Sequence, residues 1–294
     1  MAQTQAVRTA NFGGTEGAEF DDYAAASVSS SIFRVRDIRE ITVSADTYVH
    51  RIHVKYIDGD GRLRERVHGG PGGRSSRFTL AADEKLIGLR GWSGALVDQL
   101  TFLTRTSTER KSYGPFGRNG GGPFKLDGDI LAFYGRADRS YLTNIGCYAI
   151  AHLYGPFGGG GGQVFEDPIA AHGRARIKRI DIRHGAVIDA IQTTYENQDG
   201  SIYRSIAHGG AGGHLDVIAF RPGERITGVF GRSGAVVDSL AFLTEDELGI
   251  RRSYGPFGGS GGAPFIVNRD ILSFVGRSGF RTGGVIDAIG FYTV

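Results

Sequence analysis

The sequence predicts an all-β chain of two homologous domains, for which three small sheets packed around a pseudo-threefold axis is one arrangement that suits the repeat. Three observations lead there. Short runs alternate apolar and polar residues with period two, the mark of half-buried strands. Three Gly-x-x-x-Asp runs begin at Gly185, Gly234 and Gly283, a fixed spacing of 49 residues, and three Gly-Gly-x-Gly-Gly runs interleave with them at Gly158–Gly162, Gly209–Gly213 and Gly258–Gly262. Finally, the first half reappears in the second. Gly91 to Thr104 matches Gly231 to Thr244 at an offset of 140 residues, and Ser112 to Gly117 matches Ser253 to Gly258.

Taken in order, Ile52, Val54 and Tyr56 alternate with His53 and Lys55, and Asp58-Gly59-Asp60-Gly61 then marks a hairpin turn. Arg62, Arg64 and Arg66 alternate along the next strand and read as a solvated face rather than a phosphate-binding stripe. Leu100 and Phe102 flank Thr101, and Asp129 to Phe133 matches Asp270 to Phe274. The two copies divide near Ala151 to Leu153, giving domains 1–152 and 153–294, without linker-like composition between them. In the second copy Asp199-Gly200 marks a turn, and Leu240 and Phe242 flank Ala241. No helical stripe exceeds about two turns. A short-stranded, threefold-repeated unit must manage its sheet edges, and packing three sheets on a shared apolar core is one way to do so.

Composition narrows the function. The chain has 294 residues, 40% hydrophobic and 22% charged, and its 48 glycines cluster in the repeats without a collagen period. A net charge of +3, with arginines scattered among acids, gives no nucleic-acid footprint. Cys147 is the only cysteine, so no intrachain disulfide forms. No apolar run approaches the roughly 20 residues of a membrane span, so no membrane insertion is expected. Met1 to Asn11 has no apolar signal-peptide region, which points to a cytoplasmic or nucleocytoplasmic location. His50 and His53, or His208 and His214, lack a Cys, Asp or Glu at ligand spacing and read as surface or turn histidines, so no metal or other cofactor is expected. Gly158–Gly162 is not followed by Gly-Lys-Ser/Thr, so it is no P-loop, and no carboxylate pair is marked out for glycoside hydrolysis.

A glycine-rich loop beside a loop ending in a carboxylate offers backbone N–H groups and a fixed acid to a ligand rich in hydroxyls. Glycines let a backbone approach closely, and an ionised Asp accepts strong hydrogen bonds from neighbouring hydroxyls. The valines and isoleucines between Gly and Asp would anchor the loop while its N–H groups face out. The opposing reading of each Asp is a turn-stabilising side chain that bonds its own loop.

The combination of Tyr154 to Gly162, Ile188-Asp189-Ala190-Ile191-Gln192, His208 to Gly213, Tyr254 to Gly258, Gly276-Arg277-Ser278-Gly279 and Ile286 to Tyr292 resembles the jacalin-related lectins. The resemblance covers residues 154–294 and, more loosely, 12–150. It implies two tandem β-prism I domains, each of three four-stranded Greek-key sheets, and carbohydrate binding without catalysis. Galactose binders of the family are cleaved at the first glycine-rich loop. Here that loop is continuous with upstream sequence in both domains, which points to the mannose/glucose subgroup.

In the family the first glycine-rich loop pairs with the last Gly-x-x-x-Asp loop. Carried onto this chain, that gives one site from Gly162, Gly284, Val285 and Asp287. The second comprises Gly213, Ala186, Val187 and Asp189, and the third Gly262, Ala235, Val236 and Asp238. Many relatives lack an acid in the third. Gly279 to Gly283 makes the first acid loop long, suited either to a second sugar ring or to a plain surface loop. In domain one, His50 falls where Asp189 stands and Thr143 where Asp287 stands, so only Gly121, Ala95, Leu96 and Asp98 form a complete set. The expected partners are mannose- or glucose-containing glycans and glycoproteins, engaged by a multivalent, homo-oligomeric lectin (dimer or tetramer). The alternatives are a protein-interaction scaffold, with domain one having lost sugar binding, or a galactose-binding lectin.

Overall fold

The computed structural model describes residues 6–24, 35–167, 176–197, 200–246, 248–279 and 283–294. Every regular element among them is a β-strand. No helix among the described residues is long and apolar enough to cross a membrane. The chain divides into two compact units, Met1–Ile150 and Ala151–Val294.

Each unit contains three antiparallel sheets with the same internal order. In the second unit the first sheet runs His152–Gly158, Ile286–Thr293, Ile271–Ser278, Gln163–Glu166. The second sheet has Ile188–Glu196 and Arg176–His184 inside, His214–Ala219 at one edge, and Ile202–Arg204 with His208–Gly209 sharing the other edge. The third runs Arg251–Gly258, Val237–Glu245, Arg225–Ser233, Ala263–Val267. In the first unit the corresponding sheets have Leu142–Ile150 beside Ile130–Ala137, Val49–Asp58 beside Val35–Ala45, and Lys85–Ser93 beside Val97–Arg105 as their inner pairs.

The first sheet of each unit takes its outer strands from the start of the unit and its inner strands from the end. In every sheet the inner pair is a hairpin, and the outer strands are joined to each other by a loop that passes over the hairpin turn. This Greek-key crossing brings glycine-rich and acid loops to one place. The outer strands containing Tyr-Gly-Pro-Phe bulge at that motif, with register breaks between Tyr154 and Phe157 and opposite Leu240 and Phe242. Proline has no N–H for a ladder, so an edge bulge suits it. The Gly155–Pro156 and Gly255–Pro256 bonds are cis.

Alternation along the inner strands sends one face into a separate core for each unit. Tyr56, Phe102 and Phe133, one from each sheet, are fully buried in the first unit. Ile191, Phe242, Phe274 and Phe291 fill the second. Both cores carry the same buried polar triad. Tyr195 donates to Asp167, which also bonds His208 Nε2 at 2.8 Å, and Tyr56 and His68 meet Asp22 in the same way. His208 is therefore a buried core residue and not a surface one: Asp167 partners its Nε2 and Phe165 stacks on its ring, while its Nδ1 has no partner among the described residues. The turn at Asp58–Gly61 forms as predicted, with Asp58 Oδ1 accepting from the Asp60 and Arg62 N–H groups. Arg62 and Arg64 are exposed and Arg66 is half-buried, and Arg64 pairs with Asp58. Asp199 lies outside the described residues.

Candidate functional site

Each Gly-x-x-x-Asp run turns an inner hairpin. The Gly185 N–H bonds the Val187 carbonyl at 3.0 Å, the Gly234 N–H the Val236 carbonyl at 2.9 Å, and the Gly279 N–H the Val285 carbonyl at 3.1 Å. The residue before each Asp (Ile188, Val237 and Ile286) is fully buried. Strand alternation then sends Asp189, Asp238 and Asp287 to the opposite face, towards the crossing loop. Ala186 and Ala235 are exposed at the turn tips, while Val187, Val236, Gly284 and Val285 are half-buried.

The crossing loop lies directly on the carboxylate. A Cβ on Gly161 would stand 2.3 Å from Asp287 Oδ1, and one on Gly162 2.5 Å from Oδ2. The same holds for Gly212 and Gly213 over Asp189, at 2.4 and 2.6 Å, and for Gly261 and Gly262 over Asp238, at 2.4 and 2.5 Å. Gly162 also has φ +61°, in the left-handed region that costs other residues strain, and Gly213 and Gly262 match it. The structure brings Gly162 to Asp287, Gly213 to Asp189 and Gly262 to Asp238, the pairs that the family resemblance implies.

The corners interlock within the unit. Gly159 packs against the Ala235 carbonyl, Gly259 against that of Ala186, and Gly210 against that of Gly284. Each glycine-rich loop thus braces the acid loop of the neighbouring corner, and the three corners close a ring around the pseudo-threefold axis.

The first unit keeps the ring and changes its chemistry. Gly121 has φ +58°, and a Cβ on Gly120 would lie 3.0 Å from Asp98 Cγ, so Gly121, Ala95, Leu96 and Asp98 do form a corner. Asp98 is only 6% exposed. Burial pushes its carboxyl above the usual aspartate value, against one backbone hydrogen bond from Gly94 that pulls it down. Asp98 Oδ2 and Asp238 Oδ2 are buried without a hydrogen-bond partner among the described residues. At the other two corners His50 and Thr143 occupy the acid's register position. His50 Nδ1 bonds the Ser140 carbonyl at 3.1 Å and its Nε2 lies 3.0 Å from Asp46 Oδ2. Thr143 donates to the Glu16 carbonyl at 2.6 Å. Asp46, at the position of Gly185, caps its own turn through the Thr47 and Tyr48 N–H groups.

Two features escape sequence spacing. His184, His214 and Asp216 bring potential ligand atoms within 4.8 Å of one another. The Gly258 N–H donates to His184 Nδ1 at 3.1 Å, which leaves Nε2 as the protonated nitrogen, donating to Asp216 at 2.7 Å. A metal on Nε2 would need the proton on Nδ1, facing another donor, so the set is built for hydrogen bonds. The second feature is an arginine at each corner of the second unit. Arg277 Nε and Nη2 bond the Gly161 and Gly162 carbonyls at 2.7 and 2.9 Å. Residues 280–282 of the long first acid loop lie outside the described residues.

The jacalin-like lectin domain model matches residues 9–148 and again 154–292. The chain belongs to the jacalin-like lectin family. A curated agglutinin from Castanea crenata is 29% identical over 169 residues, a match covering 49% of this chain and 52% of the agglutinin, so this jacalin-like chain spans about half of that relative's length. Among solved structures, a mannose-binding jacalin-related lectin from Ananas comosus is 35% identical, covers 48% of this chain and 96% of its own, and has a TM-score of 0.41. A mannose-specific jacalin-related lectin from Morus nigra, solved with mannose, is 30% identical with coverages of 49% and 94% and a TM-score of 0.41.

Proposed function

We propose that this jacalin-like protein is a multivalent, non-catalytic lectin for mannose- or glucose-type glycans. Its second unit would hold a pyranose at each of the Asp189, Asp238 and Asp287 corners, and its first unit at Asp98 alone. The observation that carries the reading is the contact of each glycine pair with its carboxylate, which puts loop backbone and acid within reach of the same pair of ring hydroxyls. The acid accepts from adjacent hydroxyls while the loop N–H groups donate to the ring oxygens. The uncut first loop, running on from the strand His152–Gly158, supports mannose or glucose over galactose. A shallow site of this kind holds a monosaccharide at roughly millimolar Kd, about −4 kcal/mol. Several corners, and oligomers if they form, then raise avidity on a branched glycan.

A second reading applies to the first unit. His50 and Thr143 are tied into the chain's own hydrogen bonds, which favours a packing or interaction role for those two corners.

The test is an amide-resolved titration of the intact protein with methyl α-mannoside and, separately, methyl α-galactoside. The Gly162, Gly213 and Gly262 amides move with the first sugar and not with the second. Shifts confined to other residues, or absent with both sugars, would sink the reading.

A further inference from the structure

Resting on that reading, we propose that Arg183, Arg232 and Arg277 are positioning residues for glycan binding. Each sits on an inner strand beneath its own corner and holds the glycine-rich loop by its carbonyls. Arg277 takes Gly161 and Gly162 at 2.7 and 2.9 Å. Arg232 takes Gly261 and Gly262 at 2.8 and 2.6 Å. Arg183 spreads Nη1 over the carbonyls of Ala211, Gly212 and Gly213 at 3.3 to 3.5 Å.

A run of glycines has no side chains to fix its peptide planes, so the loop's orientation must come from outside. In a trans peptide the carbonyl and the following N–H point in opposite directions. An arginine that draws the Gly161 carbonyl to itself therefore turns the Gly162 N–H away, and the same logic runs from Gly261 to Gly262 and from Gly212 to Gly213. A planar guanidinium bridges two carbonyls, whereas an ammonium is a point charge.

The first unit supplies the contrast. Trp92 stands where Arg232 stands, opposite Pro123 as Arg232 is opposite Pro264. An indole has one donor and cannot make the fork. Ser44 replaces Arg183 and bonds Ser75. Arg136, at the position of Arg277, keeps one prong on the Gly17 carbonyl at 3.0 Å and turns its other nitrogen to Glu19. Among the described residues, an arginine reaching two or more loop carbonyls accompanies the acid at all three corners of the second unit and at none of the first.

The experiment uses the full chain with Arg277→Met and, separately, Arg277→Lys, titrated with methyl α-mannoside while the Gly amides are followed one by one. The expected result is about a tenfold loss of affinity at the Asp287 corner alone, little rescue by Lys, and faster exchange of the Gly162 amide in the free protein. The Asp189 and Asp238 corners and the thermal midpoint stay as they were. An unchanged affinity at that corner overturns the proposal, as does an equal loss at all three corners, which would mark a general loosening. Should the unaltered protein bind no sugar, the lectin reading falls, and the arginine's hold on the loop is judged by the Gly162 exchange rate alone, where no change overturns it. Trp92→Arg is the converse variant and should tighten binding at the Asp98 corner.

Discussion

In the second unit an aspartate follows each hairpin turn, at Asp189, Asp238 and Asp287, beneath a glycine pair that a single added Cβ would push off the carboxylate. In the first unit the same register positions hold His50, Asp98 and Thr143. The frame beneath is common to both. Tyr195 and Tyr56 anchor equivalent buried triads, and Glu224 and Glu84 accept from Thr244 and Tyr254 and from Thr104 and Tyr113 in the same pattern. The difference teaches that fold and site are separable here. The core and the Greek-key crossing build six corners, and a few side chains decide which of them present an acid.

If the frames are equivalent, breaking either one should cost the same. Phe133→Ala and Phe274→Ala remove fully buried rings at matching positions, and each should destabilise its unit by about 3–5 kcal/mol in denaturant unfolding. A large asymmetry would break the comparison.

At the corners, Gly162→Ala places a Cβ 2.4 Å from the Ser278 backbone at φ +61°. It should cost roughly 1–3 kcal/mol and silence the Asp287 corner in a sugar titration. Gly61→Ala, also at positive φ but with open space around it, tests whether loss of binding follows the carboxylate contact rather than backbone strain.

A graft sharpens the same contrast. His50→Asp combined with Asp46→Gly restores the Gly-x-x-x-Asp pattern of the Asp189 turn and should add one binding equivalent to the intact chain. Unaltered stoichiometry in a well-folded variant would show that the acid is not what the first unit lacks.

The smallest effect is in pH. Burial raises the Glu224 carboxyl, but hydrogen bonds from Thr244, the Arg221 N–H and Tyr254 outweigh it and hold the group below 4.5; Glu84 is depressed by the equivalent set. A depressed carboxyl contributes stability that is present above its unfolded pKa and lost as pH falls through the folded one. Both units should therefore soften together below about pH 4.5, and Glu224→Gln with Glu84→Gln should flatten that part of the stability curve. Asp98 has the opposite sign. Its raised carboxyl loses its charge at a higher pH than an ordinary aspartate, so sugar binding at that corner should weaken early on acidification.

The pairing of Asp287 with Gly162 comes from the family resemblance, whereas the period-two runs and the 49-residue spacing are enough to read the strands and the repeat, because alternation and glycine placement are local signals. The His50 and Thr143 replacements were visible for the same reason. The arginine forks were not, since Arg183 and Arg277 reach loops 28 to 30 and 115 to 116 residues away and nothing in their neighbours marks the partner. His208 reads from sequence as a surface or turn residue because its partner Asp167 lies 41 residues upstream. The His184–Asp216 contact bridges strands whose adjacency only the sheet order reveals.

The most direct test of the central claim is a calorimetric titration of methyl α-mannoside into the intact chain and into the triple variant Asp189→Ala, Asp238→Ala, Asp287→Ala. The account predicts up to four equivalents falling to the single Asp98 corner, with the thermal midpoint of the second unit nearly unchanged. Equal stoichiometry and affinity in the two proteins would contradict it.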